Sequence, residues 1–111
     1  MPLAPSVSHS VGRFRFTLYV AGDSPRSRLA AANFRRLADE RLGADYALTV
    51  VDVMLHPERA EAARVLTTPT LVRELPAPPR RVTGDLSDAQ MVVYALALPP
   101  DDATPVRHGG A

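Results

Sequence analysis

The 111-residue chain has no cysteine and no lysine; every one of its thirteen basic residues is arginine. The first absence excludes a disulfide scaffold, a thiolate nucleophile and a thiol-ligated metal together. The second excludes a lysine Schiff base or an amine nucleophile. The abundance of Ala and Arg at lysine's expense fits a GC-rich coding sequence. Aromatic residues are only 5% of the chain and do not interleave with the arginines as an exposed stacking motif, so nucleic-acid binding is not expected. A net charge of +1 gives no general field for polyanions, and basic residues matter only as local patches. Long apolar runs are missing as well. Met91 to Leu98 is the longest stretch without a charged or strongly polar member, far short of the ~20 residues that cross a bilayer. The N-terminal MPLAPSVSHSVG has no basic region ahead of an apolar stretch and does not read as a secretory signal. A soluble, cytoplasmic, single-domain protein is expected, with a body at 13–98 between flexible tails at 1–12 and 99–111.

Within the body, Phe14, Phe16, Leu18 and Val20 alternate with Arg13, Arg15, Thr17 and Tyr19, the period of a strand with one apolar face. Ser24 can cap a helix that starts at Pro25 and ends at Gly43. Its apolar face is Ala30, Phe34, Leu37, Ala38 and Leu42, and Arg35–Asp39 and Arg36–Glu40 are candidate i,i+4 pairs. Tyr46 to Val53 suits a largely buried strand parallel to the first. Pro57 starts a shorter helix with Glu58 and Glu61 in its first turn and Arg64 near its end. Leu71–Leu75 and Arg81–Thr83 read as a hairpin across Pro76, Pro78 and Pro79. Ser87 and Gln90 have capping-box spacing ahead of a third helix over Met91–Leu98. The order β-α-β-α-β-β-α is that of a thioredoxin-like α/β domain, and Thr68-Pro69 sits where such folds carry a cis-proline, which makes Pro69 the expected cis residue. At the start of the first helix, where an oxidoreductase has its cysteines, stands Ser24-Pro25-Arg26-Ser27, and a hydroxyl cannot replace a low-pKa thiolate in exchange chemistry.

No catalytic, cofactor or metal site emerges from the remaining residues. The two serines read as a helix cap in preference to an anion site. His9, His56 and His108 have no ligand spacing. Asp52, within an apolar strand, has no nucleophile or second carboxylate beside it and reads as a strand-end residue with a structural hydrogen bond. Arg64, Arg73, Arg80 and Arg81 come from the second helix and the hairpin, which can bring them together on one side of the sheet. A solvated face and a protein interface stand level as readings of them, because a paired Arg80-Arg81 after a rigid proline turn suits bidentate contact with carboxylates.

Three blocks together carry a family resemblance: Leu18–Gly22 (LYVAG), Tyr46–Val53 (YALTVVDV) and Leu66–Leu86 (LTTPTLVRELPAPPRRVTGDL). Their order and spacing, over roughly Phe14 to Leu98, resemble the KaiB family of circadian clock proteins. The resemblance implies a non-enzymatic regulator, in a clock or a related timing or stress system, that binds the N-terminal ring of a KaiC-like ATPase. It implies KaiA as a further partner in cyanobacterial clocks, and competition with the thioredoxin-like domain of the SasA kinase. It also implies metamorphism between a thioredoxin-like monomer and a homo-oligomer, a tetramer with a rearranged C-terminal half; the resting state, monomer, dimer or tetramer, stays open. Partner contacts would fall at Ala47 and Thr49 on the second strand and at Arg64, with Arg73, Arg80 and Arg81 matching basic positions of the family hairpin. A stand-alone adaptor similar to the SasA input domain is the alternative.

Two departures from the family pattern stand out. Thr49 takes the place of a common Lys, and Ala95 and Ala97 replace a common Gly and Asp. In the expected switch segment, Val92, Val93 and Tyr94 favour a strand, whereas Ala95, Leu96, Ala97 and Leu98 favour a helix. Both alanines are expected to push the segment toward the helix, by about 0.5–1 kcal/mol for the first.

Overall fold

The computed structural model describes residues 6–7 and 12–99 of the chain. The sheet holds β1 (Ser6–Val7), β2 (Phe14–Val20), β3 (Tyr46–Asp52), β4 (Thr70–Leu75) and β5 (Arg80–Thr83), in the order β1-β3-β2-β4-β5. The helices are α1 (Pro25–Leu42), α2 (Pro57–Ala62) and α3 (Ala89–Leu96). Strands β2 and β3 are parallel, joined through α1; β4 runs antiparallel to β2, and β5 to β4. From β2 onward this is the β-α-β-α-β-β-α order of a thioredoxin-like domain. The expected tail at 1–12 lies partly outside the described residues; within them, Ser6 and Val7 pair antiparallel with Val50 and Thr49. The expected tail at 99–111 lies outside them except for Pro99.

Helix α1 follows its local signals. Ser24 is extended at φ −70° and its Oγ accepts from the Ser27 amide at 3.1 Å, while Pro25 opens the first turn without losing a bond. Gly43, at φ 60°, ends the helix with its amide on the Asp39 carbonyl. One stripe of α1 (Ala30, Phe34, Leu37, Ala38, Leu42) and Val92 and Leu96 of α3 cover one face of the sheet, built from Phe16, Leu18, Tyr46, Leu48, Leu71 and Val82. Phe16, Phe34 and Tyr46 meet edge-on with centroids 4.7–6.3 Å apart, each pair adding about 0.5–1.5 kcal/mol beyond the area it buries. Tyr46 Oη donates to Asp39 Oδ1 at 2.9 Å, so a buried hydroxyl is satisfied.

The alternation predicts that strand β2 buries one face; from Phe16 onward it buries both. Thr17 and Tyr19 point away from α1, and Tyr19 packs with Val51 and Val72 beneath Val53, Ala63 and Val65 around α2. A central strand between β3 and β4, with helices on both sides of the sheet, has no solvent face to keep polar. The candidate i,i+4 pairs on α1 are replaced: Arg36 Nη2 donates to Asn33 Oδ1, and Asp39 is taken by Tyr46. Helix α2 stops at Ala62, and Arg64 lies beyond it at φ 56°. Asp88, not Ser87, caps α3, accepting from the Met91 amide at 3.1 Å, while the Ser87 amide goes to Asp85 Oδ1. Val92, Val93, Tyr94 and Ala95 are helical, but Ala97 is the left-handed residue that ends α3 at φ 52°. The peptides Thr68–Pro69, Leu75–Pro76 and Ala77–Pro78 are cis.

Candidate functional site

The register decides which side of the sheet each candidate occupies. In the parallel β2–β3 pair Arg15 lies beside Ala47 and Thr17 beside Thr49; in the hairpin Val72 lies opposite Arg81 and Arg73 opposite Arg80. Cross-strand neighbours share a face, and neighbours in sequence do not. Ala47, Thr49 and Arg81 therefore share the α2 side with Tyr19 and Val72. Arg73 and Arg80 face α1 and α3. The four arginines do not form one gathered face: Arg80 and Arg81 point to opposite sides because they are consecutive on a strand.

On the α2 side, Arg81 is a brace. Its Nη2 donates to the Ala63 carbonyl at 2.7 Å and its Nη1 to the Arg64 carbonyl at 3.1 Å. These carbonyls lie just past the end of α2, where a cation also meets the negative end of the helix dipole. Helix α2 has no buried residue of its own, so contacts at its ends hold it to the sheet. Arg64 lies at the rim of a cleft of about 740 Å³ beside α2, with Glu58, Ala60, Glu61 and Leu66. Leu66 is 93% exposed, and Met54 and Leu55 at the other end of α2 are also exposed. Sequence reasoning passed over these apolar residues because they fall in loops; three large apolar side chains bracketing so short a helix was the available signal. Asp52 performs the structural task expected of it: Oδ1 accepts from the Gly22 and Met54 amides, both at 2.9 Å, tying the β2–α1 turn to the loop that presents Met54. Burial raises the Tyr19 hydroxyl above its ordinary pKa, with Glu74 adding to the effect and Arg59 and Arg81 opposing it.

Ala47 is buried and Thr49 half-buried, so the second strand offers little side-chain surface. Arg73 is only 6% exposed, with Nη2 on the Pro78 carbonyl at 2.9 Å. Burial, and then the charge of Arg80, press its guanidinium below the usual range. It shapes the proline turn and does not offer a free cation. Ser24 and Ser27 hydroxyls lie 2.8 Å apart and serve the α1 cap. Among the described residues no cluster of three acidic or histidine side chains could hold a metal, and no helix is long and apolar enough to cross a membrane.

Comparison with known proteins places this geometry. The KaiB domain family model matches residues 17–98. The circadian clock protein KaiB3 of Synechocystis sp. is 38% identical over 91 residues, covering 82% of this chain and 89% of that protein. The circadian clock oscillator protein KaiB of Prochlorococcus marinus strain MIT 9312 is 42% identical over 93 residues, covering 84% of this chain and 89% of that protein. Among solved structures, the N-terminal domain of Synechococcus elongatus SasA superposes with a TM-score of 0.63 at 25% identity, covering 86% of this chain and 91% of that domain. With a family match across most of the folded body and relatives of this identity and coverage, the chain belongs to the KaiB family.

Proposed function

We propose that this protein is a non-enzymatic clock or timing regulator that docks on a KaiC-like ring ATPase through the side of the sheet that carries α2. Family membership supports the clock role, since the relatives are circadian clock proteins by name. The observation that carries the docking surface is the pairing of exposed apolar residues (Leu66, Met54, Leu55) with Arg64 around a helix that contributes nothing to the core. Apolar anchors beside an arginine are the usual composition of an interface hot spot. Thr49 and Ala47 lie on the same side; Arg81 contributes by holding α2, and Arg80 and Arg73 lie on the other face, outside this surface. The docking state is the one with α3 helical, and a rearranged homo-oligomer is its alternative. The likeness to the SasA domain supports competition with a SasA-like domain for the same ring. In systems that contain a KaiA, the ring-bound protein is the form that would recruit it.

Size-exclusion chromatography with light scattering tests this on the full chain mixed with the KaiC-like ATPase from the same source, in ATP and in ADP. A nucleotide-dependent complex is expected, weakened at least about tenfold by Leu66→Asp or Arg64→Ala with unchanged thermal stability. No complex in any nucleotide state would overturn the reading in favour of the adaptor; a complex indifferent to both substitutions would move the surface away from α2.

A further inference from the structure

The two edges of the sheet are guarded differently. The β5 edge is short, follows Pro78 and Pro79 and begins with two arginines, so it makes a poor template for another strand. Strand β3 has none of these devices. It carries no charge before Asp52 and no glycine or proline, and Thr49, Val50 and Val51 are β-branched. Strand β2 occupies one side of it, in parallel register along its whole length. On the other side, a strand of this composition offers a row of amides and carbonyls with which another chain pairs readily.

What lies on that side is the chain's own N-terminal segment. Ser6 pairs antiparallel with Val50, and Val7 with Thr49. Gly12 presses so closely on β3 that a Cβ there would stand 2.3 Å from the Tyr46 nitrogen. The Arg13 amide donates to Asp45 Oδ1 at 2.8 Å and the Phe14 amide to the Asp45 carbonyl at 3.3 Å. The segment is thus fastened beside the start of β3, and β1 covers its middle. The cover is slight, because a two-residue ladder at a sheet edge belongs to the parts of a fold that open first. We propose that β1 is a displaceable edge cover and that its release opens a strand-pairing site for the same edge of a second copy of this chain. The edge is self-complementary about its middle residue. Antiparallel pairing across a two-fold axis at Thr49 sets Leu48 opposite Val50 and Ala47 opposite Val51, uncharged residues throughout, with Asp52 reaching only Tyr46 at the ends. The closed cover keeps this edge out of self-association in the free protein.

The test compares the free full chain with its Ser6→Pro/Val7→Pro variant, which removes both amide donors of β1 and touches no residue of the core. No ATPase is in the tube, so the outcome is separate from that of ring docking. In dilute protein, hydrogen exchange should be faster in the variant at the β3 amide that faces β1, at Thr49 or Val50, with α1 amides unchanged as the control for folding. An open state of roughly 1–10% in the parent predicts that sedimentation equilibrium finds the variant self-associating roughly ten- to a hundredfold more tightly, because apparent affinity scales with the competent fraction. Adding Thr49→Lys to the variant should reverse the gain by setting two like charges opposite each other at the two-fold axis. Equal exchange in parent and proline variant would overturn the cover. Faster exchange without tighter association would overturn the second copy as occupant, and association that survives Thr49→Lys would overturn the β3 edge as its site.

Discussion

Replacing Arg81 by Ala should loosen α2. The two bonds to the Ala63 and Arg64 carbonyls are charge-assisted and would be worth about 1.5–3 kcal/mol each if buried. Their exposed position reduces this to roughly 0.5–1 kcal/mol each. The lost brace is therefore worth about 1–2 kcal/mol, a factor of roughly 5–30 in an opening equilibrium. The amides that read it are Ala63, Arg64 and Val65, bonded to the Arg59, Glu61 and Ala60 carbonyls. Native-state hydrogen exchange should show their protection falling by that factor, and the urea midpoint should move by the same free energy with an unchanged slope. Arg81→Lys should recover only part of the loss, because an ammonium cannot reach two carbonyls with a planar fork. Unchanged protection at Ala63 to Val65, with a shifted urea midpoint, would refute the brace: Arg81 would then stabilise β5 and not α2.

Three further outcomes follow from the same geometry. Tyr46 is pushed up to about 12, first by burial and then by its bond to Asp39 and that carboxylate's charge. Its native form keeps the proton while the unfolded chain releases it near pH 10, so the contribution is full below pH 10 and is lost as pH rises to about 12, a few kcal/mol in all; absorbance at 295 nm should show Tyr46 as a late-titrating tyrosine, and Tyr46→Phe should flatten the stability profile in that window. Gly12→Ala should cost about 1–3 kcal/mol in urea unfolding, since a Cβ there would stand 2.3 Å from the Tyr46 nitrogen, in backbone that cannot swing aside; a neutral result would mean the approach is looser than this. Ala95→Gly and Ala97→Gly should have opposite signs by circular dichroism and urea melts: the first costs about 0.5–1 kcal/mol within α3, and the second gains up to ~1 kcal/mol by relieving a left-handed alanine, so two losses would refute the assigned helix end.

That last pair shows where sequence reasoning stopped short. Reading both alanines as helix formers was correct for Ala95, which lies within α3. It failed for Ala97, which sits one residue past the helix in a conformation that alanine disfavours. The helix end is set by the left-handed Ala97 and by the buried Leu98 packing into the core, a tertiary demand that a propensity window does not contain. Helix α1, by contrast, was legible from Ser24 to Gly43 because its signals are local: a hydroxyl cap, a proline in the first turn and a glycine at the end. The hairpin was legible for the same reason, its prolines excluding a continued ladder between β4 and β5.

The arginines could not be sorted in the same way, because their faces depend on the register between strands and not on order along the chain. The β2–β4 pairing steps from Arg15 opposite Leu75 to Phe16 opposite Arg73, leaving Glu74 in a bulge where it accepts from Thr17 Oγ1 on the α2 side. That offset and the hairpin pairing together fix which of two consecutive arginines turns toward α2. The result is a division of labour invisible in a count of charges. Arg81 holds the C-terminal end of α2, Arg73 the proline turn, and Arg64 alone of the four stands at the α2 cleft. On this surface Arg59 and Arg64 stand beside Glu58 and Glu61, so opposite charges offset one another around the three exposed apolar residues; the complex should owe its affinity to burial more than to charge and depend only weakly on salt.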